Sequence, residues 1–393
     1  MREGLKNFVI PQQGRAVQSV FEPSVSAIIP TFKPGVMAFR LVEDLLRYNP
    51  ALNVVVVDDS TPLEHESHAV LARIAALPRT TLLRTPTNTL KAGALNVGVR
   101  HVLAQTHPPA VICTLDDDVV VFPHTLSVMV HALLADKGLG AVCSRVAVAN
   151  KNKNVLTRLQ GLEYLGYNAI RLADQGFFWG PLVMPGMLTA FRTRALKKVG
   201  LFSEGHLIED YEITTRLKSQ GWHVRAALDA PAWTSVPETL SQLWRQRTRW
   251  SLGGVRVVLD AKPIAVIQDV IGHGVFIATL ATIGLLLLIK SSGAPSLLVH
   301  AIVALSLGQL LLWYGFQLWL MRLYPERDWK DWFLRVSVLP ELIYSNIMTI
   351  ALIGSYLFTL YSSVKAFVPV RMAHAVNVVF RAVGYEAQWG TRN

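Results

Sequence analysis

The sequence predicts an α/β fold, a mostly parallel sheet with helices on both faces, followed by apolar C-terminal helices. Three observations carry this. Short apolar runs alternate with helix-like stretches through the first 250 residues, as strands covered on both faces require. Two of those runs end in aspartates, at Asp58-Asp59 and at Asp116-Asp117-Asp118. Beyond about residue 260 long apolar runs dominate, in a chain that is 51% hydrophobic and 17% charged, too apolar and charge-poor for an ordinary soluble protein.

Strands are expected at 25–30, 53–58, 80–85, 110–115 and 139–144. Helix-like stretches lie near 36–48, 63–77, 92–105 and 123–135. In such sheets ligands bind beyond the carboxyl ends of the strands, so the two acidic groups would face one crevice if their strands are neighbours. Residues 154–174 carry Leu159, Leu162 and Leu165 at helical spacing. The passage WGPLVMPGMLTAFR, 179–192, reads as a loop closing over a site. Helices are expected at 211–220, ending at Gly221 as a C-cap, and at 238–250. Spans are expected at about 264–289, 298–320 and 337–361, each near or above the roughly 20 residues that cross a bilayer. The charged loop before the third, with Trp329 and Trp332, reads as interfacial. Three crossings would carry the tail away from the large N-terminal domain, yet Lys365, Arg371, Arg381 and Arg392 favour the cytoplasmic side. A re-entrant or interfacial segment would reconcile the two.

Lys plus Arg number 38 against 27 Asp plus Glu, a net charge of +11. With membrane spans expected, anionic lipid and a phosphorylated substrate suit this charge. No zinc-finger spacing or other nucleic-acid module is present, so nucleic acid is not an expected partner. Cys113 and Cys143 read as buried small hydrophobes, and two cysteines make no disulfide framework. The first residues lack the apolar core of a signal peptide, which leads to the expectation that the large domain lies on the cytoplasmic side.

Three adjacent like charges need water or a positive partner. Asp116 and Asp118, two apart at a strand end, suit one hard divalent cation that would also take phosphate oxygens. Lys91, Gly93 and Asn96 open a helix in a way that suits phosphate. Glu209 and Asp210 precede the helix expected at 211. Gln246, Arg249 and Trp250 fall at i, i+3 and i+4 on one helix face. Trp179 and Trp233 read as packing residues, and His206 as part of a loop near Asp210.

Taken in this order, these motifs resemble the family 2 inverting glycosyltransferases, and more narrowly the membrane-bound cellulose, chitin and hyaluronan synthase group. The resemblance covers about residues 24–250 and continues into the C-terminal spans. It implies a GT-A type, Rossmann-like catalytic fold. It also implies Pro30 and Thr31 lining a nucleotide pocket, with Asp58 and Asp59 as the acidic pair and Asp59 on uracil. Lys91, Gly93 and Asn96 match the K-A-G-x-L-N segment on the phosphate side. Asp116, Asp117 and Asp118 form the D-x-D region, where Asp116 and Asp118 hold Mg2+ or Mn2+ and Asp116 and Asp117 face the donor. Gly186 and Arg192 fall on recurring acceptor-side positions. Asp210 becomes the general base beside Glu209, and Gln246, Arg249 and Trp250 match Q-x-x-R-W. Ile208 departs from the usual threonine, and Ser60 stands where glycine is common.

The resemblance implies transfer of a hexose or N-acetylhexosamine from a nucleoside-diphosphate sugar, UDP-linked on this reading, to a growing saccharide. Single addition to a lipid such as ceramide or a polyprenyl phosphate is the alternative. Membrane lipid and an accessory or export subunit complete the expected partners. The expected organisation is 1–23 as an extension and 24–250 as a cytoplasmic catalytic domain. Residues 251–363 then hold an interfacial segment and about three transmembrane helices, and 364–393 a basic tail. The expected location is the plasma (inner) membrane.

Overall fold

The computed structural model describes residues 24–290 and 296–385. The extension at 1–23 and Arg392 of the tail lie outside the described residues. The strands are β1 (Val25–Thr31), β2 (Asn53–Asp58), β3 (Thr80–Arg84), β4 (Val111–Leu115), β5 (Val120–Val121), β6 (Leu139–Val148), β7 (Leu188–Arg192) and β8 (His223–Thr234). They form a single sheet in the order β3-β2-β1-β4-β7-β6-β8-β5. The helices packed on or beside it are α1 (Val36–Tyr48), α2 (Ser67–Ala75), α3 (Leu90–Leu103), α4 (Thr125–Ala135), α5 (Val155–Ala173), α6 (Thr193–Lys198), α7 (Glu209–Ser219) and α8 (Leu240–Asp260).

Period-two alternation divides each strand between two cores. Val54 and Val56 of β2 pack with Ala27 and Ile29 of β1 and with α1 on one face. Val55 and Val57 pack with Ile28 and with α3 on the other. The cysteines obey the same rule: Cys113 lies in the first core, Cys143 in the second, and both thiols are free and buried. Burial pushes Cys113 up to about 12 and Cys143 up to about 11, so both stay protonated.

Three expectations are corrected. The strands carrying the acidic groups, β2 and β4, are not neighbours; β1 runs between them, parallel to both. The passage 179–192 is not all loop, because Leu188–Arg192 is β7, antiparallel to β4 and β6 in mid-sheet. Glycine and proline just before it hid a strand only five residues long. Between the helices expected at 211–220 and 238–250, where no strand is expected, runs β8, parallel to β6 with register shifts along its length.

Helix ends follow local chemistry. Asn154 with Thr157 and Thr239 with Gln242 form capping boxes for α5 and α8. Gly221 sits at φ +80 just past α7, where a Cβ would be strained. Helix α7 begins at Glu209, two residues earlier than expected, which puts Glu209 and Asp210 in its first turn.

Downstream, α8 runs unbroken across residue 250. Then come α9 (Ile267–Lys290), α10 (Ser296–Leu320), α11 (Trp329–Ser337), α12 (Leu339–Val364) and α13 (Val370–Ala382). Helices α9, α10 and α12 occupy the three expected span positions. Among the described residues one helix, Leu339–Phe367 with mean hydropathy 1.6, is long and apolar enough to cross a membrane. Helix α12 packs along α8: Leu252 shares an apolar cluster with Phe358 and Tyr385. The chain then folds back, and the Trp244 indole N–H of α8 donates to the Val383 carbonyl at 2.8 Å. The described end of the chain therefore rests against α8.

The loop before α11 is held by charge to β6, to α5 and to the turn between them. Buried Asp331 accepts from Lys151 at 2.6 Å and from Arg158 at 2.9 Å, and Arg145 pairs with Glu326 at 2.7 Å. Removing one partner from a buried network of this kind costs roughly 3–5 kcal/mol.

Candidate functional site

The site is built at the carboxyl ends of β2, β1 and β4. Thr31, the last residue of the central strand, joins the two acidic groups. Its carbonyl accepts from the Asp59 N–H at 2.8 Å, and its hydroxyl donates to Asp117 Oδ2 at 2.5 Å. Pro30 and Thr31 are both buried at this strand end.

The first acidic pair is tied mainly to its own protein. Asp58 is ion-paired with Arg84, and its Oδ1 accepts from the Thr61 N–H at 3.0 Å. Asp59 Oδ1 accepts from the Thr89 N–H and hydroxyl, each at 2.8 Å, and from the Thr85 hydroxyl at 2.9 Å. That oxygen is saturated, so a ligand would have to use Oδ2. Ser60 follows at φ +66, left-handed backbone that glycine adopts without cost, which is why glycine suits the position.

By fixing Thr89, Asp59 also fixes the entry to α3. A Cβ on Gly93 would collide with the Thr89 side chain, so that glycine lets the helix start approach closely. Leu90 takes a φ of +61, and Lys91 follows it, aimed at the second acidic group. Lys91 Nζ lies 2.6 Å from Asp116 Oδ1, 2.8 Å from Glu209 Oε1 and 3.2 Å from the Gly186 carbonyl. The three aspartates thus diverge: Asp116 to Lys91, Asp117 to Thr31, and Asp118 to the Thr234 hydroxyl at 3.3 Å.

Asp210 lies on the far side of this cluster. Its Oδ2 accepts from the Gly186 N–H and its Oδ1 from the Tyr211 N–H, both at 2.8 Å. A Cβ on Gly186 would stand 2.7 Å from Lys91 Nζ and 3.1 Å from Asp210 Oδ2, so any larger residue would displace the lysine. A small cavity opens here, lined by Lys91, Met184, Gly186, Phe202, Glu209 and Asp210 among others.

The charges act on one another. Burial alone would lower Lys91, but Asp116, Glu209 and Asp210 outweigh it and hold the ammonium protonated. Burial would raise Glu209, but the pull of Lys91, its own backbone hydrogen bond and Arg249 lower it. Burial and the neighbouring Glu209 charge push Asp210 up to about 6, against Lys91 and the two N–H donors. Desolvation and the adjacent carboxylate outweigh the charge-favouring start of the helix. Two adjacent carboxylates driven in opposite directions are the arrangement expected of an acid–base site.

Helix α8 completes one side. Arg249 Nη1 donates to the Leu207 carbonyl at 3.3 Å, just before α7. Gln246 Oε1 accepts from Arg247 at 2.5 Å, and the Arg247 guanidinium lies 4.1 Å over the Trp250 ring. Ile208 packs against α8 where a Cβ on Gly253 would come within 2.8 Å of it, an apolar contact that threonine would make less well.

Other singled-out residues act elsewhere. Asn96 is buried and pins the following loop, donating to the Phe202 carbonyl and accepting from its N–H at 2.8 and 2.9 Å. Arg192 binds the carbonyls of Leu139 and Asp136, at 2.8 and 2.9 Å, and closes the end of α4. Trp179 pairs through its backbone carbonyl with Val224, and Trp233 meets Phe122 edge-on at 5.2 Å. Sequence reasoning passed over Arg247 and its partner Glu163, which lie 84 positions apart.

Among the described residues no three His, Cys, Asp or Glu side chains converge on a metal position. Asp116 and Asp118 offer two carboxylates, one already shared with Lys91, so the remaining ligands would have to come from a substrate.

A model of the family described as Glycosyl transferase family group 2 matches residues 111–367. Over 169 residues the chain is 32% identical to "Probable glycosyltransferase YdaM" of Bacillus subtilis (strain 168), covering 43% of this chain and 39% of that one. Over 169 residues it is 31% identical to "Poly-beta-1,6-N-acetyl-D-glucosamine synthase" of Staphylococcus aureus (strain COL), covering 43% and 40%. The chain spans about two fifths of the length of these curated relatives. The solved mannosyltransferase PcManGT from Pyrobaculum calidifontis, in complex with GDP-Man and Mn2+, shares the fold at a TM-score of 0.52 and 21% identity, over 77% of this chain and 86% of that one.

Proposed function

The chain belongs to glycosyl transferase family group 2, and from that membership we propose that it transfers a sugar from a nucleoside-diphosphate donor to a saccharide acceptor with inversion. The donor is read as a UDP-linked hexose or N-acetylhexosamine and the acceptor as a growing polysaccharide. Similarity to a poly-N-acetylglucosamine synthase supports the polymer reading. The observation that carries the proposal is Asp210, pushed up to about 6 and held by two backbone N–H groups at a cavity that Lys91 also lines.

In this reading the acceptor hydroxyl gives its proton to Asp210 as its oxygen bonds to the anomeric carbon. The bond from that carbon to the diphosphate breaks, and the nucleoside diphosphate leaves with the electron pair. A base near 6 is mostly ionised at neutral pH and is still basic enough to accept that proton. Lys91 keeps Glu209 ionised, and Glu209 in turn raises Asp210. Arg249 and Lys91 bring fixed positive charge to the departing diphosphate. Asp116 and Asp118 would hold Mg2+ or Mn2+ together with donor oxygens, as cations of this kind are commonly bound. Such a cation would supply further charge neutralisation on the leaving group. Trp250 offers the acceptor a stacking surface. Helix α12, with α9 and α10 as further spans, would hold the protein in the membrane with its catalytic domain at the cytoplasmic face.

The test is a screen of purified protein in detergent against several nucleotide sugars, scoring nucleotide release and product mass. A ladder of water-soluble chains is expected. A product of one sugar on a lipid would move the acceptor reading to lipid glycosylation, and no turnover of any donor would defeat the proposal.

A further inference from the structure

Arg247 touches two other side chains of α8, Gln246 and Trp250, the second of them partly buried against the main core. It donates to Gln246 Oε1 at 2.5 Å, and its guanidinium covers one face of Trp250 at 4.1 Å. A sugar could therefore stack only on the opposite face. Arg247 itself is 3% exposed and is held from two other elements. From α5, Glu163 forms an ion pair with it. From α12, the Tyr344 hydroxyl lies 3.3 Å from the guanidinium and donates to Glu163 Oε2 at 2.6 Å. Tyr167 donates to the other Glu163 oxygen at 2.7 Å, which leaves that carboxylate little freedom.

We propose that Arg247 is a positioning residue that sets the indole of Trp250, and that Glu163 and the Tyr344 hydroxyl lock it so that acceptor handling depends on how α12 is seated against α8. The proposal rests on the reading of Trp250 as an acceptor surface. A guanidinium is suited to this task because its plane lies flat on an aromatic ring while its edge holds a carboxylate, and lysine does neither well. The nucleotide side is built by the start of α3 and the ends of β1, β2 and β4, outside this network. Disturbing the lock should thus change acceptor use and leave nucleotide binding nearly as it was.

The test uses the full chain in detergent, labelled with 5-fluorotryptophan, with the Trp250 resonance assigned by its loss in Trp250→Phe. Tyr344→Phe removes one hydroxyl and little volume, so the fold should survive. It should shift the Trp250 resonance and raise the acceptor KM by about two- to tenfold, the range one lost hydrogen bond spans. The kcat at saturating acceptor and the UDP affinity by calorimetry should each stay within about twofold. Arg247→Lys keeps the charge and should produce a larger shift and a larger rise in KM. An unmoved Trp250 resonance in both variants overturns the proposal. So does a loss falling equally on kcat and UDP affinity with acceptor KM unchanged. The resonance is read without turnover, so a chain that releases nucleotide from no sugar donor would defeat the functional reading while the shift still decides the positioning role.

Discussion

Lys91 Nζ lies 2.6 Å from Asp116 Oδ1 and puts a fixed positive charge against the first of three consecutive aspartates. The same ammonium reaches Glu209 at 2.8 Å, so one lysine links the end of β4 to the start of α7. Lys91→Met should strip both carboxylates of their partner. Turnover at saturating metal should fall by about 10²–10³-fold, as for the loss of one preorganised electrostatic contact. Asp118→Asn leaves Lys91 in place and removes one carboxylate oxygen, so it should move the Mg2+ or Mn2+ titration to higher concentration. Steady-state rates across a metal titration check both. A Lys91→Met enzyme with normal turnover, or an Asp118→Asn titration overlaying the wild type, contradicts the arrangement.

Asp210, pushed up to about 6, must be ionised to accept a proton. Turnover should therefore fall about tenfold per pH unit below that value and level off above it. The stability sign is opposite to that of a salt-bridged aspartate. Its pKa lies above the ordinary 3.8, so the folded state binds the proton more tightly than the unfolded state does. The resulting penalty is absent below about 3.8, grows through the interval, and is full above about 6. Asp210→Asn should then melt at or above the wild-type temperature at pH 7.5, with the difference vanishing near pH 4. Thermal melts at the two pH values decide it.

Gly186→Ala should cut turnover by at least about tenfold while the chain still folds. The added methyl would stand 2.7 Å from Lys91 Nζ and 3.1 Å from Asp210 Oδ2, and the flexible lysine would have to move. Rate loss on a misplaced catalytic pair can reach about 10²-fold for a shift of about 1 Å. Circular dichroism and melting of the variant separate this from unfolding, and an alanine variant with unchanged rate would show that the pair does not act together.

Much of this was legible in the sequence, for reasons that name its limits. Strands β1, β2 and β4 were readable because apolar runs bounded by turn residues and aspartates admit little else. The strand β7 was hidden because Pro185 and Gly186, needed to bring a backbone N–H to Asp210, sit just ahead of it. The contacts of the residues quoted from the motifs needed three dimensions. Asn96 turned out to hold a loop and Arg192 a helix end, because amide and guanidinium groups serve buried carbonyls as readily as ligands. Arg247 carried no signal beyond its place in a basic helix, since Glu163 and Tyr344 are supplied by distant segments.

The fold-back of α13 bears on the basic tail. With Trp244 of α8 bonded to Val383, and Tyr385 donating to the Ala351 carbonyl of α12 at 2.8 Å, the described end of the chain lies with the catalytic domain. A cysteine placed at Arg381 should react with a membrane-impermeant maleimide from the same side as one placed at exposed Leu63, the native Cys113 and Cys143 being buried. Labelling of the two positions from opposite sides of sealed vesicles would show that the tail crosses.

The central claim is that Asp210 serves the chemical step and not donor binding. The direct measurement is UDP affinity by calorimetry beside sugar-transfer turnover, for wild type and Asp210→Asn. Asparagine can keep a hydrogen bond to the Gly186 N–H while losing its basicity. The account predicts turnover reduced by about 10²–10⁴-fold with UDP affinity nearly unchanged. Near-normal turnover in Asp210→Asn, or loss of UDP binding in step with loss of rate, would contradict it.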